Sequence, residues 1–240
     1  MPLSLKTRRV GDVTIIRCSG RIVAGAENES LREQVRGLLP DRRDVVLDLN
    51  EVVFIDSSGL GTLVRLLTSV RRAQGDLKLC SLPPDIQKLL KLTKLISLFD
   101  SHACEEDAVS AFYQGTTTGR PVLSSGPTVL CVDQSPDVLA YLGELLRRAG
   151  YSVLTNNNVH DALILLRAAR PGLLIVGPSL SSSGGTQESF RAVSAALPLI
   201  ELGENFSTSE AGQAAAELLE KVRQHVAAPA GVANKASQVR

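Results

Sequence analysis

Two consecutive serines, Ser57 and Ser58, stand between an acidic residue and a glycine in the segment Asp56-Ser-Ser-Gly-Leu60. A serine hydroxyl can cap a helix, accept a phosphoryl group or act as a nucleophile, and its surroundings decide among these roles. Apolar residues lead up to Asp56, and helical spacing of apolar residues begins at Leu60. The segment therefore predicts a turn from a strand into a helix, with the serines at or near the helix N-cap.

Spacing alone leaves three roles open for this turn and favours the first. In the first, the serines only satisfy unpaired backbone N–H groups of the first helical turn. In the second, Ser57 is phosphorylated, which a helix N-terminus tolerates because it stabilises an anion by about 0.3–1 kcal/mol. The added charge of about −1.5 to −2 would weaken a partner docked over the turn. In the third, the turn of a ligand-sensing scaffold binds a nucleotide or another anion without covalent change.

A serine-nucleophile enzyme is not expected. The first half of the chain holds one histidine, His102, as a candidate base, and the turn lacks the Gly-x-Ser-x-Gly pattern of hydrolases. We therefore predict a non-enzymatic protein without catalytic residues or a cofactor.

Composition argues against several other classes of function. The net charge is +1, aromatic residues make up 3% of the chain and tryptophan is absent, so neither a basic nor a stacking surface for nucleic acid is expected. The cysteines at 18, 80, 104 and 131 form no CxxC pair, which predicts no metal site and places Cys18, Cys80 and Cys131 in the core. No apolar run approaches the roughly 18 residues of a membrane span, so we expect a cytoplasmic protein.

Strands and helices alternate in the first half, which predicts an α/β architecture with at least part of the sheet parallel. The patterns predict strands at Val13–Cys18, Asp44–Leu49 and Asp76–Cys80, and helices at Glu27–Leu39, Ser58–Ala73, Asp85–Leu92 and Asp107–Phe112.

Two segments of this half resemble a known family. Cys18-Ser-Gly-Arg-Ile22 and Phe54-Ile-Asp-Ser-Ser-Gly-Leu-Gly61, in this order of elements, resemble the STAS domain of bacterial anti-sigma factor antagonists over about residues 3–114. The resemblance implies a mixed sheet flanked by helices. It also implies that an anti-sigma factor acting as a serine kinase binds the unphosphorylated protein and phosphorylates Ser57, and that a cognate phosphatase reverses this.

By the same resemblance, Asp56, Ser57, Ser58, Gly59 and Leu60 form the partner-binding turn. The sequence departs from the family at Val23, near the partner surface, where members often carry an acidic residue.

The second half predicts a doubly wound, five-stranded parallel sheet of the flavodoxin or receiver type. The patterns give strands at Thr128–Val132, Ser152–Leu154, Leu173–Val176 and Pro198–Leu202, and helices at Pro136–Ala149, Asp161–Ala169, Gln187–Ala196 and Glu210–Val226. The expected organisation is a STAS-like domain at 1–114, a linker at 115–127, this domain at 128–226 and a tail at 227–240.

The run Val129-Leu-Cys-Val-Asp133-Gln134 resembles the start of a response-regulator receiver domain, but the acidic residues that a receiver needs are incomplete. Gln134 stands where a second acid is expected, and the third strand runs into Gly177-Pro178 without an acceptor aspartate. Asp133 is then best interpreted as a capping or turn residue. This pattern predicts a pseudo-receiver that serves docking or homodimerisation.

Overall fold

The computed structural model describes residues 1–40, 44–114, 127–181, 190, 192, 197–203 and 211–227. The chain divides into two compact units, one of Met1–Pro121 with His160–Ala169 and the other of Val122–Val159 with Arg170–Arg240. Apart from one or two residues each, the predicted linker at 115–127, the predicted helix at 187–196 and the predicted tail lie outside the described residues.

The first unit contains a mixed five-stranded sheet, as predicted. Its strands are β1 (Ser4–Val10), β2 (Val13–Ile22), β3 (Asp44–Ile55), β4 (Leu77–Cys80) and β5 (Asp100–His102). They lie side by side in sequence order. The first two strands form an antiparallel hairpin, and every later neighbouring pair is parallel.

The helices that connect these strands complete the layered arrangement. They are α1 (Ala26–Leu38), α2 (Ser57–Arg72), α3 (Pro84–Leu92), a 3-10 helix (Leu95–Leu98) and α4 (Glu105–Gln114). The buried face of α2 carries Leu63, Leu67 and Val70 at helical spacing, and these pack in one core with Leu47 of β3 and Leu31 of α1. Because β3 and α2 are both anchored in this core, the turn between them has a fixed place at the end of the sheet.

A second, fully parallel sheet follows, with strands β6 (Thr128–Val132), β7 (Ser152–Asn156), β8 (Leu173–Val176) and β9 (Leu199–Glu201). Their order is β7-β6-β8-β9, the arrangement of the first four strands in doubly wound folds of the flavodoxin type. Helices α5 (Pro136–Arg148), α6 (Val159–Ala169), α7 (Pro178–Ser181) and α8 (Ala211–Ala227) accompany these strands along the chain.

The predicted fifth strand of this sheet is not found among the described residues. The sequence of this half offers four apolar strand-like runs, and α8 begins within ten residues of the end of β9. Among the residues that the structure describes, this sheet therefore has four strands.

Helices of the described chain are too short or too polar to cross a bilayer.

Candidate functional site at the start of helix α2

The turn between β3 and α2 is built around Asp56, which is the N-cap of α2. Ile55, with 2% of its surface exposed, ends β3 in the core. Asp56 keeps an extended backbone (φ −87°, ψ −180°), and its carbonyl accepts the first intrahelical hydrogen bond from the N–H of Leu60 at 2.9 Å. Helix α2 therefore begins at Ser57, one residue earlier than the sequence pattern predicts.

The carboxylate of Asp56 ties two segments of the chain together. Its Oδ1 accepts a hydrogen bond from the N–H of Gly59 at 2.7 Å, and its Oδ2 accepts one from the N–H of Ala24, after β2, at 3.0 Å. The backbone N–H of Asp56 donates to the carbonyl of Ile22 at 3.3 Å. Asp56 thus fixes the start of α2 against the end of β2.

These contacts also set the charge state of Asp56. The hydrogen bonds from the N–H groups of Ala24 and then of Gly59 lower the pKa of its carboxyl below the ordinary value, and the positive charge of Arg21 adds to this in a small way. Asp56 is therefore an anion at neutral pH.

Gly59 is required at the third position of α2 because the backbone of β2 passes close by. A Cβ atom at this position would lie 2.2 Å from the carbonyl oxygen of Ile22 and 2.8 Å from Cγ2 of Ile55. Gly61, two residues later, has open space where its Cβ would be. The first glycine is thus fixed by packing, and the second is not.

The two serines differ in their contacts. Both are exposed, but the Oγ of Ser58 accepts a hydrogen bond from Nδ2 of Asn28 at 3.0 Å, and Asn28 is itself 7% exposed. Within the described residues, the Ser57 side chain makes no hydrogen bond. The capping role that spacing favoured for the serines belongs to Asp56, which leaves the Ser57 hydroxyl open to solvent.

The five residues predicted for the partner-binding turn do not all face outward. Gly59 is buried and Leu60, 7% exposed, packs in the core. The outward-facing part of the turn consists of Ser57 and Ser58, with Asp56 half-buried beside them.

Sequence reasoning missed an apolar surface next to this turn. Val53 is 68% exposed and Phe54 is 45% exposed, although both lie in β3. The guanidinium of Arg21, which pairs with Phe54 on the neighbouring strand, lies 4.9 Å from the centre of the Phe54 ring. The signal available in the sequence was the run Val52-Val-Phe-Ile55, where strict alternation cannot bury all four apolar side chains on one face.

The departure at Val23 lies beside the same turn. Val23 is half-buried, and the contact to Asp56 comes from the backbone of the next residue, Ala24. A backbone N–H can donate this hydrogen bond with any residue at position 24 except proline. The residues Val23 and Ala24 therefore leave the cap intact.

The second unit uses Asp133 as a turn residue. Its side chain is fully buried, and its two carboxylate oxygens accept hydrogen bonds from the N–H groups of Ser135 at 2.7 Å and Ser179 at 3.0 Å. A Cβ atom at Gly177 would lie 2.1 Å from Oδ2 of Asp133. No group of acidic, histidine or cysteine side chains in the described chain has the arrangement of a metal site.

Comparison with known proteins places this site in a family. The family model described as the STAS domain matches residues 4–108. BtrV of Bordetella bronchiseptica, named as a candidate anti-sigma factor antagonist, is 30% identical over 102 residues, which cover 42% of this chain and 88% of BtrV. The chain belongs to the STAS domain family. The STAS domain holds the Asp56 turn, and the match ends at residue 108, before the second unit's sheet.

Two further relatives have similar extents. The anti-sigma F factor antagonist of Paenibacillus polymyxa is 25% identical over 112 residues, covering 46% of this chain and 95% of that protein. The crystal structure of an anti-sigma factor antagonist from Mycobacterium paratuberculosis has a TM-score of 0.41 at 22% identity, covering 45% of this chain and 92% of that one.

Proposed function

We propose that this protein is a phosphorylation-switched anti-sigma factor antagonist and not an enzyme. Its STAS domain binds an anti-sigma factor that is also a serine kinase while Ser57 is unphosphorylated, and phosphorylation of Ser57 ends the complex. The observation that carries the proposal is the division of roles in the turn. Asp56 caps α2 and Asn28 donates a hydrogen bond to Ser58, so of the two serines in the turn it is Ser57 whose hydroxyl makes no hydrogen bond within the described structure.

The phosphoryl transfer requires only the acceptor hydroxyl from this chain. The Oγ of Ser57 forms a bond to the γ-phosphorus of ATP held by the kinase, the bond from that phosphorus to ADP breaks, and a base of the kinase takes the hydroxyl proton. The chain contributes a rigid, exposed hydroxyl at the first residue of α2. A cognate phosphatase restores the hydroxyl by hydrolysis of the phosphoserine.

The effect of a phosphate on Ser57 on partner binding follows from the neighbouring carboxylate of Asp56. Asp56 is already an anion and already occupies the N–H of Gly59, so a phosphate on Ser57 adds charge beside a carboxylate instead of filling an empty anion site. A partner docked over the turn would have to bury or bypass both anions, which is costly. Because the Asp56 carboxylate already accepts the hydrogen bond of the Gly59 N–H, non-covalent binding of a nucleotide at this turn is the less favoured alternative.

The exposed apolar side chains next to the turn supply contact area for the partner. Val53 and Phe54 lie in β3, three and two residues before Asp56, and the guanidinium of Arg21 lies over one side of the Phe54 ring. Phenylalanine and arginine are both enriched in protein interfaces relative to the rest of a protein surface.

For the second unit we propose a pseudo-receiver that serves docking or homodimerisation in the cytoplasm. The support is the packing of Gly177 against Asp133, which leaves no room for the side chain of an acceptor aspartate at the end of β8.

Incubation with a candidate anti-sigma factor kinase and ATP, followed by mass spectrometry, tests the proposal. We expect one phosphate on the wild-type chain and on Ser58→Ala, and none on Ser57→Ala. Equal labelling of Ser57→Ala and the wild type would reject Ser57 as the acceptor.

A further inference from the structure

A groove lies between α1 and α2, on the part of the STAS domain away from the Ser57 turn. It encloses about 400 Å³. On α2 it begins at Val64 and ends at Arg72, so its near end is seven residues, or roughly 10 Å of helix, beyond Ser57.

Two helix faces form the sides of this groove. Arg32, Val35, Arg36 and Leu39 line it from α1 and its C-cap, at the i, i+3, i+4, i+7 spacing of one face. On the other side, α2 contributes a face with a four-residue repeat, which includes Arg65, Thr68, Ser69 and Arg72. The groove thus follows about two turns of each helix.

The charged side chains that line the groove are all positive. Four of its described lining residues are arginines, and none is acidic. Arg32 pairs with Glu29 at 2.9 Å, whereas Arg36, Arg65 and Arg72 are exposed and form no ion pair within the described chain.

The helix dipole accounts for only part of this pattern. Arg36 and Arg72 lie in the last turns of their helices, where a cation is favoured. Arg65 lies in the middle of α2, so the dipole gives no reason for a third unpaired cation on the same groove.

The floor of the groove is apolar. Val35 and Leu66, with 1% and 4% of their surface exposed, belong to the core, and Leu39 and Val64 pack against that core while remaining partly exposed. An apolar floor between two charged edges suits an amphipathic helix, which buries its apolar stripe and directs its flanks at the edges.

We propose that this groove binds an amphipathic α-helix of a protein partner that carries acidic residues on both sides of an apolar stripe. Carboxylates recur on one side of such a helix every three to four residues, which matches the i, i+4 spacing of Arg32 and Arg36. Arginine forms two parallel hydrogen bonds to a carboxylate, so each edge can fix the register of the bound helix.

A labelled model peptide tests this on the full chain by fluorescence anisotropy. The peptide has about 18 residues, long enough to be helical, with a leucine stripe flanked by glutamates, and its neutral twin carries glutamine instead. We expect saturable one-to-one binding of the acidic peptide at low salt, about tenfold weaker binding of the twin, and weakening by added salt.

Variants locate the site. Arg36→Gln and Arg65→Gln should each weaken binding of the acidic peptide by about two- to fivefold, as expected for exposed ion pairs. Arg71→Gln is the matched control, because Arg71 neighbours Arg72 on α2 but pairs with Asp76 at 3.0 Å and does not line the groove. It should leave the affinity unchanged.

Several results would overturn the proposal: no binding, equal binding of the two peptides, or equal effects of Arg65→Gln and Arg71→Gln. Inorganic tripolyphosphate that binds as tightly as the acidic peptide would also overturn it, since the groove would then be a plain anion site. If Ser57→Asp weakened binding of the acidic peptide and Arg65→Gln did not, the peptide would bind at the turn and not in the groove. The outcome is therefore independent of whether Ser57 is a switch.

Discussion

Oδ1 of Asp56 accepts a hydrogen bond from the N–H of Gly59 at 2.7 Å, and this contact assigns the roles in the turn. Because the aspartate caps the helix, the serine that follows it is not needed for capping. The fold therefore does not depend on the Ser57 side chain, which is what a reversible modification site requires.

The close approach of β2 to the start of α2 gives the first prediction. Gly59→Ala should lower the free energy of unfolding by about 1–3 kcal/mol, because its methyl group would overlap the carbonyl of Ile22. Gly61→Ala, the control in the same helix, has open space and should raise stability by about 0.5–1 kcal/mol. Urea unfolding of the two variants measures the difference, and similar midpoints would contradict this packing.

The charged cap predicts a pH dependence. The pKa of Asp56 is lowered in the folded state, so its contribution is fully present above the unfolded value of about 3.9 and is lost as the pH falls through the folded value. Asparagine keeps a capping oxygen but carries no charge to strengthen these hydrogen bonds, and it does not titrate in this range. We expect the urea midpoint of the wild type to exceed that of Asp56→Asn at pH 7, and this excess to disappear towards pH 2. A constant difference over this range would show that Asp56 does not titrate as the structure implies.

The thiols should fall into two groups. Burial raises the pKa of Cys18, Cys80 and Cys131 to about 12, whereas Cys104 is exposed. At pH 8 a disulfide reagent should modify one thiol per native chain rapidly and all four in denaturant. Cys104→Ser should remove the rapid phase, and rapid modification of more than one thiol in the native protein would contradict the burial of the other three.

The contact between Gly177 and Asp133 predicts how the second unit responds to substitution. Gly177→Ala should cost about 1–3 kcal/mol of stability, because its Cβ would overlap the Asp133 carboxylate. Gly203→Ala, with open space at its Cβ, is the control. Equal unfolding midpoints of Gly177→Ala and Gly203→Ala would contradict this packing of Gly177 against Asp133.

Most elements were predictable from the chain because their apolar periodicity is strong. The pattern predicts Thr128–Val132 and Leu173–Val176 with the bounds that the structure has. Two strands were missed for different reasons. The sequence of β1 mixes three basic residues with few apolar ones and pairs on one side only, and β5 has three residues, too few for a period to show.

The candidate site was predictable in position but not in its division of roles. A strand that leads into Asp-Ser-Ser-Gly predicts a turn at the mouth of a helix, and the structure has it. That Asp56 reaches Ala24, or that Asn28 reaches Ser58, depends on contacts between residues about thirty positions apart, which periodicity does not report. The exposure of Phe54 could not be predicted for the same reason, because the face of β3 that is covered depends on how the sheet packs.

The central claim is tested most directly by measuring how tightly the anti-sigma factor kinase binds the full chain with and without phosphoserine at position 57. The phosphorylated chain should bind at least about tenfold more weakly than the unmodified chain, with its thermal unfolding midpoint nearly unchanged. Equal affinity of the phosphorylated and unmodified chains, with the phosphate confirmed on Ser57, would contradict the account.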